Sequence, residues 1–389
     1  MNTPSPSPPG AASMAGPLLR IGSLLSFRPL VYGYSNARVH GLYSRFLTPD
    51  QLHSLMAAPA PEAMVELLER TSYREDLVAL SLHFKGDDLI ELAVSRHFAR
   101  FSRLLLSFSP AEARPVLTAL LGRWDAHNLK VVLLARRQKK TFEQILPYLV
   151  LAGSISESAL RAAHTAKDGE EVLHILRTSP AGRAVMEGQS GDPHAAERLR
   201  RLILSLDSAE TLQPLLDELY RLIYLFAMRA SGSLSGSDME EVSRLLRRQA
   251  DEKNLSTILR LRAVGVKPSE MRHYLVPGSS MPASRWMELA QGGPDLPAIQ
   301  HLAFRLGWTQ ALKAYASDSS LPKLEAAMAR LSATEGVRTF RRAQLSVGVL
   351  AGALLLKEQE MANIRKIVRA KALGLPAAEI ENMLVHAHS

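Results

Sequence analysis

No cysteine occurs in the chain, which excludes disulfides, thiolate metal sites and a cysteine nucleophile. Long apolar runs are missing too. The longest uncharged one, Leu345–Leu356, is too short to span a bilayer, which takes ~20 residues. Met1–Pro17 carries no charge, and no basic n-region precedes an apolar stretch, so it does not read as a signal peptide. Its Pro, Ser, Gly and Ala content reads as a disordered leader, taken to end at residue 29. Strand signals are nearly absent. So is any G-x-x-x-x-G-K-[ST], H-E-x-x-H or G-x-S-x-G pattern. The Gly cluster Ser231–Gly236 lacks a phosphate-reaching Lys and reads as a loop. His386 and His388 read as a frayed tail rather than a zinc pair, and Asp87-Asp88 beside Gly86 as a helix start. These readings give no catalytic, cofactor-binding or metal residues.

Acidic charge is in deficit. Lys and Arg number 47 against 38 Asp and Glu, a net charge of +9. Such a surface suits an anionic membrane face, acidic protein partners or nucleic acid. The basic runs Arg136–Lys140 and Arg244–Arg248 lack interleaved aromatics, so nucleic acid is not expected and solvated helix faces are. Hydrophobic content of 47% and a mean hydropathy of −0.02 are those of an ordinary soluble protein with ample core material.

What is present is helix. Thr48-Pro49-Asp50 and Ser109-Pro110-Ala111-Glu112 each place an N-cap, a Pro at the first position and an early acid. Gly188–Pro193 and Ser231–Asp238 read as loops.

One pattern occurs three times without a gap. Counting from Asn128, Asn254 and Asn363, an acid stands three before (Asp125, Asp251, Glu360). Aliphatics stand one, four and five after. A cation stands eight after (Arg136, Arg262, Lys371), and Leu-Val stands twenty-one and twenty-two after. A fixed-spacing repeat means repeated supersecondary units. The expected units are helices over 124–138, 250–264 and 359–373. Each is followed by a break and a short helix ending near Leu149, Leu275 and Leu384. Gly265 and Gly374 suit the helix C-terminus, with Pro268 and Pro376 starting the next. The first copy has Lys139 there instead, followed by a capping box at Thr141–Gln144. Acid, aliphatics and cation share one helix face. Acid and cation of one copy are too far apart to pair, at ~16 Å. The acids are therefore expected to contact neighbouring helices; the cations either do the same or face solvent at the helix end. The expected organisation is all-α, with a leader 1–29 and three similar helical modules at 30–160, 161–285 and 286–389.

The ordered segments resemble a known family. Tyr34-Ser35-Asn36-Ala37-Arg38-Val39 looks like its opening Y-x-N-A-R-V, and Leu68-Glu69-Arg70-Thr71-Ser72-Tyr73 like its L-x-x-T-x-Y. Asn254-Leu255 through Arg262, then Tyr274–Gly278, resembles its middle N-L…R-x-R…L-x-P-G. Lys357-Glu358 through Asn363-Ile364-Arg365, then Lys371 and Gly374-Leu375-Pro376, resembles its last segment, with Ala370 where a Gly is usual. The family is that of the C subunit of the archaeal and bacterial A/V-type ATP synthase, to which the d subunit of the vacuolar ATPase also belongs. The resemblance, over residues 30–385, implies a pseudo-threefold helical funnel. It implies a non-catalytic central-stalk part, on the cytoplasmic side and peripheral to the membrane. Such a part couples the shaft subunits D and F to a proteolipid ring that carries protons or sodium. Anionic lipid headgroups would suit its basic surface. The alternative is a helical repeat scaffold for protein partners outside any ATPase, though modules of this length exceed the roughly 34–47 residues of common helical repeats.

Overall fold

Side-chain N-caps such as Thr48 and Ser156 start some of the helices in the computed structural model of the chain. It describes residues 28–385 apart from 180–181, 184–185, 188–193, 206–211, 235, 293–296 and 343–344. The leader up to residue 27, the Gly188–Pro193 loop and the two terminal histidines lie outside the described residues. Among the described residues the chain is all helical, with no strand.

The first helices are α1 (Arg28–Tyr43), α2 (Pro49–Ala57), α3 (Pro61–Glu69), α4 (Arg74–Leu80) and α5 (Gly86–Phe108). Thr48 caps α2 with the reciprocal Gln51 bond of a capping box. The start expected at Ser109-Pro110 falls later. Ser109 ends α5 with its hydroxyl donating to the Leu105 carbonyl, and a turn through Ala113 intervenes. The motif helix α6 then runs Arg114–Arg137.

The other motif helices are α12 (Gly236–Ala263) and α18 (Val347–Ala372). All three end nine residues past the motif Asn: 128 to 137, 254 to 263, 363 to 372. Each then breaks into a short helical segment. These are α7 (Phe142–Ile145) with a 3-10 turn to Tyr148, α13 (Pro268–Met271) with a 3-10 turn to Tyr274, and α19 (Ala377–Met383). Between them lie α8 (Glu157–Thr165), α9 (Gly169–Leu176), α10 (Ala195–Leu204) and α11 (Leu212–Ser231). After α13 come α14 (Ala283–Gly292), α15 (Pro297–Leu306), α16 (Thr309–Asp318) and α17 (Leu321–Arg342). The expected loop Ser231–Asp238 is shorter than its composition suggests, since α12 begins at Gly236 and Asp238 sits in its first turn.

The breaks are identical in the three copies. Gly265 and Gly374 adopt φ of 75° and 72°, and Lys139 adopts φ of 54° at the same position. In each copy two amides close back onto the helix: Lys139 to Arg136 and Lys140 to Ala135, Gly265 to Arg262 and Val266 to Leu261, Gly374 to Lys371 and Leu375 to Ala370. This is the Schellman arrangement. The repeat geometry imposes it on Lys139 despite the side chain.

The motif aliphatics each seed a different core. Leu129, Val132 and Leu133 sit in one cluster with residues of α7–α11. Leu255, Ile258 and Leu259 sit in a second with residues of α13–α17. Ile364, Ile367 and Val368 sit in the third, which joins α1–α5 to α18 and α19. The long helices interleave: α6 packs on α11, α12 on α17, and α18 on α5.

Left-handed backbone costs a non-glycine residue ~1 kcal/mol or more. Lys139→Gly should therefore raise stability by about 0.5–1 kcal/mol, read as a higher urea midpoint with unchanged slope.

Candidate functional site

The repeat residues build one device three times, and each member has a separate task. Asn128 donates its amide to the Val150 carbonyl at 2.7 Å and accepts the Val150 amide at 2.8 Å. Asn254 does the same with Val276, at 2.9 and 2.7 Å. Asn363 does so with Val385, at 2.8 and 3.1 Å. Only a carboxamide carries the donor and the acceptor needed to satisfy both backbone groups of an extended residue. The Leu-Val at fixed distance is the strip of backbone this amide holds. All three Asn side chains are buried.

Acid and cation grip the two ends of one helix. Asp125 accepts from the Ser154 and Ile155 amides at 2.9 and 2.8 Å, and from the Ser154 hydroxyl, just before α8. Arg136 donates to Ala163 and His164 carbonyls, at 2.7 and 3.3 Å, in the last turn of α8. Asp251 accepts the Ser280 amide at 2.8 Å before α14, and Arg262 donates to Leu289 and Ala290 at its end. In the third copy Glu360 accepts the Leu47 amide at 2.8 Å before α2, and Lys371 donates to the Met56 carbonyl at 2.7 Å in its last turn. The gripped helices have nine or ten residues, ~14–15 Å, which is why acid and cation are eleven residues apart. The signs suit the helix dipole, with the acid at its positive N-terminal end and the cation at its negative C-terminal end. The acids thus bind helix entries rather than helix interiors, and the cations are engaged rather than facing solvent.

Burial pushes the Asp125 carboxyl up, and the Ile155 and Ser154 hydrogen bonds oppose this. Burial also raises Asp251, opposed by Ser280, Arg305 and Arg248. Gly153 must be glycine, since a Cβ there would stand 2.1 Å from the Asp125 carboxylate. Glu360 has further partners. The Tyr73 hydroxyl donates to it at 2.6 Å and Lys357 donates at 2.6 Å. The buried Lys357 ammonium also lies over the Phe46 and Tyr73 rings, 4.6 and 4.8 Å from their centroids. Burial lowers its pKa, with Glu360 opposing.

The repeat cations and amides face away from a cavity shared by the three motif helices, and the opposite face of the same helices lines it. That cavity, of about 470 Å³, is walled by α6, α11, α12, α17 and α18. The position five before each motif Asn meets there: Arg123, Gln249 and Glu358. Arg123 and Glu358 form an ion pair between the first and third motif helices. Tyr224, Glu252, Lys253 and Glu325 add polar lining. Glu252 accepts from Ser332 and stands 3.8 Å from Arg248. Burial pushes its carboxyl up to about 8, with Arg248 opposing. The repeat register holds a signal for this wall, a cation, an amide and an acid at one equivalent position, but the motif stripe lies on the other face. Among the described residues no group of three or more His, Cys, Asp or Glu is placed to hold a metal ion.

A repeated helical scaffold around a polar cavity is the class these features define. Residues 35–383 match the family described as ATP synthase (C/AC39) subunit, and the chain belongs to that family. Similar proteins include the A-type ATP synthase C subunit of Thermoplasma volcanium, 24% identical over 88% of this chain and 94% of the relative. That of Methanocaldococcus jannaschii is 23% identical over 91% of this chain and 86% of its own length. That of Thermococcus onnurineus is 24% identical over 91% and 90%.

Asn254→Asp keeps the size but sets a carboxylate oxygen against the Val276 carbonyl, so it should cost about 2–4 kcal/mol in denaturant unfolding. Glu252 gives a pH effect of defined sign. Its folded pKa lies above its unfolded one, so the folded state binds the extra proton and stability falls as pH rises from about 4.5 to about 8. Glu252→Gln should stabilise the protein by about 1–3 kcal/mol at pH 9, with little effect at pH 4, in unfolding curves at both pH values.

Proposed function

We propose that this chain is a non-catalytic central-stalk component of an A/V-type rotary ATPase or ATP synthase. It acts as the socket that couples the rotating shaft to the proteolipid ring. The observation that carries this is the family match over residues 35–383, joined to a polar cavity walled by all three motif helices. The relatives, named as C subunits of A-type ATP synthases, point to such a complex. The partners this implies are shaft subunits D and F at one face and the membrane ring at another, with anionic headgroups beneath a surface of net charge +9. No described helix is long and apolar enough to cross a membrane; the place proposed is peripheral, on the cytoplasmic side.

The contacts also support a closed pseudo-threefold unit order that differs from modules cut at 160 and 285. One unit runs from α6 to α11 and a second from α12 to α17. The third joins α18 and α19 to α2–α5 at the other end of the chain. Each motif helix then packs on the long helix that ends its own unit. This makes the funnel a ring whose seam lies within a unit.

Removing the chain from the complex should leave ATP hydrolysis by the catalytic sector running and abolish ion pumping. Shaft binding should weaken as salt shortens the Debye length toward ~3 Å at 1 M. Intact pumping without the chain, or nucleotide turnover by the purified chain, would overturn the proposal.

A further inference from the structure

The second copy breaks its own repeat on one face. The positions ten, seven and six before the motif Asn are Arg244, Arg247 and Arg248. In the third copy they are Ala353, Leu356 and Lys357, all buried. In the first they are Thr118, Leu121 and Gly122, of which Leu121 and Gly122 are buried. These positions share one side of a helix. Where the other copies pack this side, the second leaves it open and lines it with guanidinium groups. It forms one wall of a cleft of about 410 Å³, which Arg305 also lines.

Four like charges in one cleft repel. The lining acids, Glu240 and Glu335, offset two of them. Glu335 is shared, 3.7 Å from both Arg244 and Arg338. Behind Ser280, Asp251 faces Arg305 and Arg248, and Arg338 adds a positive charge beside Glu335. Glu252 stands 3.8 Å from Arg248 on its far side, outside the cleft lining, and burial pushes its carboxyl up to about 8. The lining thus keeps an excess of two positive charges, four less two. Arg248 is fixed as a wall, donating to the Leu306 carbonyl at 3.1 Å and to the Ser332 hydroxyl at 3.0 Å. Arg244, Arg247 and Arg305 are exposed. Guanidinium forks match phosphate oxygens in geometry as well as charge. The volume lies in the range of small-ligand sites, ~300–1,000 Å³.

We propose that the cleft between α12 and α15 binds a phosphate-bearing dianion, held by Arg244, Arg247 and Arg305 against the Arg248 wall. The site shares the Arg248 wall with the polar cavity, but its three exposed arginines lie outside that cavity's lining, and the proposal stands whether or not the socket function does. Its ligand is a soluble phosphate compound or a phospholipid headgroup, which share the recognised chemistry.

The test uses the full chain at low salt. Inorganic pyrophosphate is titrated calorimetrically. Sedimentation with phosphatidylcholine vesicles, with and without phosphatidic acid, is measured in parallel. The variants are Arg247→Gln/Arg305→Gln, which touches no fixed wall contact, and Lys140→Gln as a control on another basic stretch. Binding of either probe that falls at least tenfold in the double variant and stays within twofold in the control supports the site. Pyrophosphate binding without vesicle binding assigns a soluble ligand, and selective binding to phosphatidic acid assigns a headgroup. No binding of either probe, or equal loss in the control, overturns the proposal. So does a double variant that loses only shaft binding, since the arginines would then belong to a protein interface.

Discussion

A buried carboxamide holding a short strip of extended backbone is the contact on which the rest of this structure depends. Each motif helix must stop, reverse and launch another helix alongside itself. The left-handed residue at its end supplies the stop, but a turn alone leaves the next segment free to swing. The Asn amide removes that freedom, because it satisfies both polar groups of one Val deep inside the protein. An unmet backbone group there would cost ~1–3 kcal/mol, so the strip has one acceptable position. Once the strip is fixed, the next helix starts beside the motif acid and ends beside the motif cation. The apolar faces that build each core follow from that placement.

The third copy shows how strongly this logic is imposed. Its gripped helix does not follow Val385, as it follows the Leu-Val strip in the first two copies. The helix held by Glu360 and Lys371 is α2, from the opposite end of the sequence, and the bonds span 313 and 315 residues. Glu and Lys replace Asp and Arg at this seam. Glu360 serves the Leu47 amide, the Tyr73 hydroxyl and Lys357 together, a load its two oxygens share. A buried pair of this kind adds little net stability by itself, yet losing one partner leaves an uncompensated charge, which fixes the register of the seam. The first two clasps join segments at most 30 residues apart, while the third must await both ends of the chain. Loop closure over such a span is slow, so the seam is the natural last step of folding.

The repeat was legible because its residues act through the backbone. Asn128, Asn254 and Asn363 each need a carboxamide at one place and a strip of backbone at another, so identity and spacing both survive in the sequence. The breaks were legible at Gly265 and Gly374 but not at Lys139, where only the other copies point to a left-handed residue. The gripping of helix ends was not legible, since nothing in a single copy says that a carboxylate and a cation ~16 Å apart address one object. The helix near Ser109 starts later than its cap signal implies because the Ser109 hydroxyl closes the previous helix, a choice that local sequence leaves open. The cavity wall was hidden for another reason. Arg123, Gln249 and Glu358 differ in type because they face one another rather than performing the same task, and complementarity leaves no likeness to find.

These two faces of one helix divide the work. The outward face repeats, and it sets a stiff frame in which one short helix per copy is tied at both ends. The inward face varies, and its polar groups converge from three copies on one cavity. The division separates stiffness from variation. Rigidity comes from contacts that are the same in each unit, so load spreads over three equivalent clasps. The wall itself is built from groups that differ, Arg123, Gln249 and Glu358, so it has one arrangement rather than three. A symmetric wall would offer three equivalent arrangements. An asymmetric wall on a near-symmetric frame offers a single arrangement of polar groups.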